Sequence, residues 1–131
     1  MTTFSITTPL FQHTEKVQAK IVSLKIRSLL RETRVPERII AQGLALGETY
    51  FSRMKNRRSG FYRWESLHPL ERLGQVVRFA KTSLSKKGVQ DWLLQPNAYL
   101  HQVPPILCLR SDEEMEKVIS LLGAIRHGLP S

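Results

Sequence analysis

The chain has 131 residues, 41% hydrophobic and 24% charged, with 7 Gly and 7 Pro, enough for one compact domain or two very small ones sharing a core. That composition excludes collagen-like, low-complexity and wholly disordered classes. Twenty Lys and Arg against eleven Asp and Glu leave a formal charge of +9, a field that attracts phosphate backbones in a salt-dependent way but that solvated basic faces also produce.

Residues Met1 to Thr14 hold no ionisable side chain except His13, and are read as a flexible N-terminal arm with little to repay ordering. Helical periodicity starts at Glu15. Val17, Ile21, Leu24 and Ser28 line one face, with Val22, Ile26 and Leu29 beside it. Lys16, Lys20, Arg27, Arg31 and Arg34 form a basic stripe on this helix, which should end before Pro36 because Val35 is disfavoured in the α region ahead of proline. Pro36 suits the first turn of a helix over Glu37 to Gly43. Another fits Glu48 to Arg57, closed by Ser59-Gly60. Phe61 to His68 reads as a loop carrying Tyr62 and Trp64. Pro69 can open a fourth helix, with Leu70, Leu73, Val77, Ala80 and Leu84 on one face, closed by Lys86-Lys87-Gly88.

A domain boundary is placed there, because the charge changes sign. Up to Gly88 there are 17 basic and 6 acidic residues; from Val89 there are 3 and 5. A short helix fits Val89 to Leu94, broken at Gln95-Pro96, and Asn97 can cap a turn over Ala98 to Leu100. Ser111 and Glu114 have capping-box spacing ahead of a last helix that buries Met115, Val118, Leu122 and Ile125 and stops near His127, with Gly128 at C′. No strand-length alternating run is present. The expected fold is all-α: residues 15–88 a helix-turn-helix domain, residues 89–131 a small helical domain.

The run from Ile40 to Met54 carries the helix-turn-helix pattern. Ala41 is small where two helices cross, and Leu44, Leu46 and Phe51 fill the angle between them. The turn position most often held by Gly in that motif is Ala45. An αα-hairpin in any bundle shares much of this pattern, so charge decides for DNA. Thr49, Tyr50 and Arg53 would reach base edges, with Ser52 and Asn56 as further contacts. Lys55, Arg57 and Arg58 would grip phosphate.

Exclusions narrow the rest. Cys108 is the single cysteine, so there is no intramolecular disulfide and no CxxC, and in its apolar run it reads as a buried, inert thiol. His13, His68, His101 and His127 have no metal-ligand spacing. No P-loop or GxGxxG is found, and no active site or cofactor is expected. No run reaches about 18 apolar residues, and no basic residue precedes a hydrophobic run at the N-terminus. The expectation is a cytoplasmic protein.

Asp91 to Leu100 (DWLLQPNAYL), then Pro105-Ile106-Leu107, then Val118 to Gly128 (VISLLGAIRHG) resemble the toxin-binding domain of the Xre/MbcA/ParS antitoxins, which join an Xre-like helix-turn-helix to a small helical domain. Two departures stand out: His101-Gln102-Val103 where the family usually has glycine before proline, and Glu114-Met115 where a small residue is usual. The resemblance implies a type II antitoxin whose partner is a RES-domain toxin that consumes NAD. It implies that Ile125, Arg126, His127, Gly128, Leu129, Pro130 and Ser131 cover the toxin's cleft, and that the helix-turn-helix binds operator DNA as a homodimer or in a hetero-oligomer with the toxin. Trp92 belongs to that toxin-binding set, although a core anchor is the plainer reading of an indole at this spacing. A helix-turn-helix regulator with no toxin partner is the alternative, and an inhibitory adaptor that has lost DNA binding is a third.

Overall fold

A computed structural model describes residues 10–11 and 16–128. The fold is all-α, as expected, with one small ribbon. The described chain runs β1 (Lys16–Gln18), α1 (Ala19–Thr33), α2 (Glu37–Gly43), α3 (Glu48–Asn56), β2 (Phe61–Arg63), α4 (His68–Ser83), α5 (Lys86–Leu94) and α6 (Asp112–Arg126). Single 3-10 turns lie at Trp64–Leu67, Ala98–Leu100 and Pro105–Leu107.

The expectation of no strands fails at β1 and β2, which pair antiparallel with Val17 opposite Tyr62. Three residues are too few to show alternation, and the pairing is made by a contact that sequence spacing does not reveal. The ribbon takes the first residues assigned to the opening helix, so α1 begins at Ala19, whose N–H donates to Gly60 O at 2.9 Å. It also gives structure to the segment read as a loop, where Trp64 packs edge-on against His68 with centroids 4.6 Å apart.

α1 ends as its sequence requires. Arg34 takes the left-handed conformation at φ 55° and its N–H donates to Leu30 O. The buried Thr33 hydroxyl donates to Leu29 O at 2.9 Å and accepts from Val35 N at 3.2 Å, turning the chain into Pro36 and α2. The buried face is Val22, Ile26 and Leu29, not the one headed by Ile21 and Leu24, which stay 41% and 58% exposed. Both faces are apolar, and packing against α3, α4 and α5 selects between them.

One hydrophobic cluster unites Ile26 of α1, Ile40 of α2, Phe51 of α3, Leu73 of α4, Leu93 of α5, Ile106, and Val118 and Leu122 of α6. Burial of each such side chain contributes about 1.5–3 kcal/mol. The helix break after α4 lies at Leu84 and Ser85, a little before the boundary read from charge. Lys86-Lys87-Gly88 opens α5 rather than closing α4, because the Ser85 hydroxyl caps the helix by accepting from Gly88 N at 3.1 Å. Leu84 consequently falls outside α4 as its C-cap.

The N-terminal arm expectation is corrected at Leu10 and Phe11. Their amides donate to the two oxygens of Glu71 at 2.8 and 2.7 Å, Phe11 is buried, and Leu10 lies over Gly74 of α4. Residues 1–9 and 12–14 of that arm are outside the described residues.

Candidate nucleic-acid interface and partner surface

The turn between α2 and α3 is a Schellman closure. Leu46 N–H donates to Ala41 O at 2.9 Å and Ala45 N–H to Gln42 O at 3.1 Å. This geometry puts the residue after the C-cap in the left-handed region, and Ala45 is there at φ 59°. An alanine therefore stands in a conformation that glycine favours, at a cost of roughly 1–2 kcal/mol. Below the turn, Ile40, Ala41, Leu44 and Phe51 are 1% exposed or less, so these fill the crossing angle, while Leu46, expected to share that role, is only half-buried at its edge. The α2 backbone lies directly on the 3-10 turn Pro105–Leu107: a Cβ on Gly43 would meet Ile106 O at 2.0 Å.

α3 is fixed from two sides. From α1, the Ser23 hydroxyl donates to Lys55 O, and Arg27 Nη2 donates to Asn56 Oδ1 at 2.9 Å. From α2, Glu37 Oε1 accepts from Lys55 Nζ at 2.6 Å in a half-buried ion pair. These contacts divide the eight candidate DNA-contacting residues. Asn56 is held by Arg27 and donates to Ser52 O at 3.0 Å, and Ser52 itself is half-buried. Arg57 donates to Ser59 O at 2.8 Å and its guanidinium lies 4.9 Å from the Tyr62 ring centroid. Thr49, Tyr50, Arg53 and Arg58 are exposed, with no side-chain hydrogen bond or ion pair among the described residues. Thr49, Tyr50 and Arg53 share the outer face of the first two turns of α3, beside the exposed Glu48. That arrangement can offer a hydroxyl, a phenol, a guanidinium and a carboxylate to base edges.

The C-terminal third is built on turn chemistry. Asn97 Oδ1 accepts from Tyr99 N at 2.8 Å, capping its 3-10 turn as expected. His101 and Gln102 follow at φ 59° and 66°, both left-handed, at the positions where the sequence departs from glycine. Ser111 Oγ accepts from Glu114 N at 3.2 Å, the first half of the capping box. The reciprocal bond is displaced by one residue, since Glu114 Oε1 accepts from Arg110 N at 2.9 Å and its Oε2 pairs with Arg110 Nη2 at 3.0 Å. The Arg110 hydrogen bond holds the Glu114 carboxyl below its ordinary value. Burial pushes the Cys108 thiol up, although that side chain is half-buried rather than buried.

Trp92 is half-buried against the core, and its indole N–H has no acceptor among the described residues. Ile125 is half-buried rather than in the core, because α6 leaves the cluster after Leu122. Arg126, His127 and Gly128 are exposed, with Gly128 left-handed at φ 81°. Leu129, Pro130 and Ser131 lie outside the described residues. Beside α6, Tyr99 (60% exposed), Leu121 and Ser120 line a groove of about 450 Å³ edged by Glu113, Glu116 and Lys117.

No family model and no curated protein sequence matches the chain. Among solved structures, it is similar to a chain in the crystal structure of the M. tuberculosis MbcT-MbcA toxin-antitoxin complex. The two superpose with a TM-score of 0.64 at 16% identity, over 83% of this chain and 96% of that one. The likeness is one of fold.

Sequence reasoning missed the residues that hold these surfaces in place. Ser23 and Glu37 read as ordinary helix positions and Arg27 only as part of a basic stripe, and each acts on α3 through a contact 18 to 32 residues away. It also missed the groove beside Tyr99, whose walls come from two segments of the last third. Among the described residues no helix is long and apolar enough to cross a membrane, and no group of three or more His, Cys, Asp and Glu could hold a metal ion.

Proposed function

We propose that this chain is the antitoxin of a toxin–antitoxin pair and acts by binding in the cytoplasm, with no catalysis and no cofactor. The observation that carries the reading is the fold shared with a chain of a toxin–antitoxin complex over nearly all of that chain. Residues 89–131 cover a RES-domain toxin that consumes NAD, through Trp92, Ile125, Arg126, His127 and the tail Gly128 to Ser131. Residues 15–88 bind the operon's own promoter as a homodimer or within the toxin complex, since paired half-sites raise affinity through effective concentration. The exposed Thr49, Tyr50 and Arg53 support direct base readout, and Arg58 supports phosphate contact. Lys55, Asn56 and Arg57, being engaged within the fold, hold α3 at its angle.

Co-expression with the adjacent open reading frame tests the reading. The expected result is that the neighbour alone stops growth and drains cellular NAD, and that this chain restores both and co-purifies with it. A neighbour that remains toxic beside a well-expressed chain overturns the antitoxin reading. Sequence-specific promoter binding in that case favours the alternative, a helix-turn-helix regulator with no toxin partner.

A further inference from the structure

The basic stripe of α1 does not end at the helix-turn-helix. Arg27, bonded to Asn56 at the end of α3, is followed on the same helix face by Arg31 at i+4, and Arg34, the left-handed C-cap, comes just after the last turn. Seven residues of helix carry that face about 10 Å, the axial length of about three phosphates on one DNA strand. It ends in a cleft of about 350 Å³ between the last turn of α1 and the first turn of α5, where Arg31 and Arg34 face Lys86 and Lys87. Gln90 Nε2 fixes the two walls by donating to Arg34 O at 3.1 Å.

Four cations meet in this cleft against one carboxylate, Glu32, which is itself paired with Lys81 at 3.1 Å. Lys87 has a solvent-exposed partner in Asp91 at 3.3 Å, a contact worth at most a few tenths of a kcal/mol. Among the described residues no carboxylate pairs with Arg31, Arg34 or Lys86, and all three are exposed. Like charges gathered without counter-ions in the protein raise the local attraction for a polyanion. The position suits one source. Arg34 is three residues before the start of α2, the first helix of the helix-turn-helix, and in such motifs that helix crosses the DNA backbone.

We propose that this cleft is a second phosphate-binding site, which takes the duplex backbone just beyond the segment read by α3. The proposal rests on the DNA-binding reading above, and makes the first turn of α5, which carries the last two lysines before the charge boundary, a contributor to DNA affinity. Its contribution is independent of base sequence.

The test is a fluorescence titration of a labelled 30-base-pair duplex of random sequence between 50 and 200 mM salt. It compares the wild type with Lys86→Gln/Lys87→Gln and, as an independent pair, Arg31→Gln/Lys86→Gln. Each lost phosphate contact takes about 0.9 from the slope of log affinity against log salt. The fourfold rise in salt should therefore cost each variant about 3- to 12-fold less affinity than it costs the wild type. Inorganic phosphate should compete with the duplex no better than chloride at equal ionic strength. Steep wild-type binding with unchanged slopes in both folded variants overturns the cleft proposal and leaves the helix-turn-helix reading standing. Absence of wild-type binding overturns both. Saturable binding of inorganic phosphate, lost in the variants while the duplex slope stays the same, makes the cleft a free-anion site and overturns its role on DNA.

Discussion

Ala45 holds the turn of the helix-turn-helix in a left-handed conformation that its Cβ opposes. Because the residue is exposed, replacing it with glycine loses no packing. The relief of roughly 1–2 kcal/mol is partly offset by the greater freedom of glycine in the unfolded chain, about 0.4–1 kcal/mol. Ala45→Gly should therefore stabilise the protein by about 0.5–1 kcal/mol, read as a higher midpoint in chemical denaturation, whereas a lower midpoint would contradict the strain. Glu114 supplies a second residue-scale prediction. Its hydrogen bond from Arg110 holds the folded carboxyl below the ordinary 4.5, so the unfolded chain takes up the proton first. The stabilisation is complete above that pH and is lost as the pH falls through the folded value. Denaturation midpoints of the wild type and Glu114→Gln should differ at pH 6 and converge toward pH 3; a constant gap would contradict the assignment.

At the scale of elements, α3 is a presented helix. Its inner face is anchored by Phe51 and Met54, its end is held by Arg27 and Lys55, and its outer face is left to Thr49, Tyr50 and Arg53. Thr49→Ala/Arg53→Ala should reduce promoter affinity at least tenfold and leave the melting temperature within about 2 °C, as surface changes away from such anchors do. Arg57→Ala, which removes a cation from the Tyr62 ring and a bond to Ser59, should lower both. An electrophoretic shift beside a thermal melt separates the two, and equal effects would contradict the division between presented and engaged residues. Gly43 is the constraint that joins the helix-turn-helix to the last third of the chain. Its bare backbone lets α2 sit against Ile106, so Gly43→Ala should destabilise by about 1–3 kcal/mol through overpacking. A denaturation curve unchanged by that substitution would contradict the close approach.

Across the whole molecule, local signals were readable and long-range ones were not. Pro36, Ser111, Asn97 and Gly128 mark helix ends through steric and capping rules that act within a few residues, and the structure places those ends within a residue or so of the expectation. The β1–β2 ribbon and the docking of Phe11 on Glu71 depend on partners 43 to 60 residues distant, and the choice between two apolar faces of α1 depends on helices that come later in the chain. No spacing rule reaches so far. The boundary at Gly88 failed as a helix end for a related reason: a run of Lys with Gly reads as a stop, yet Ser85 caps it as a start. At the candidate site, the sequence pointed to α3 as a whole, and only the contacts of Arg27, Glu37 and Tyr62 divide its residues into those that face outward and those that hold the helix.

On the proposed function, one chain presents two separable surfaces, a DNA-reading face on α3 and a toxin-covering end at α6. The most direct measurement is the NAD consumption of the adjacent gene's purified product, titrated with the full chain, with Thr49→Ala/Arg53→Ala, and with a chain ending at Ile125. Inhibition at about one equivalent is expected from the first two, and loss of inhibition from the third, which keeps its promoter shift. Undiminished NAD consumption with the full chain present in excess would contradict the proposed function.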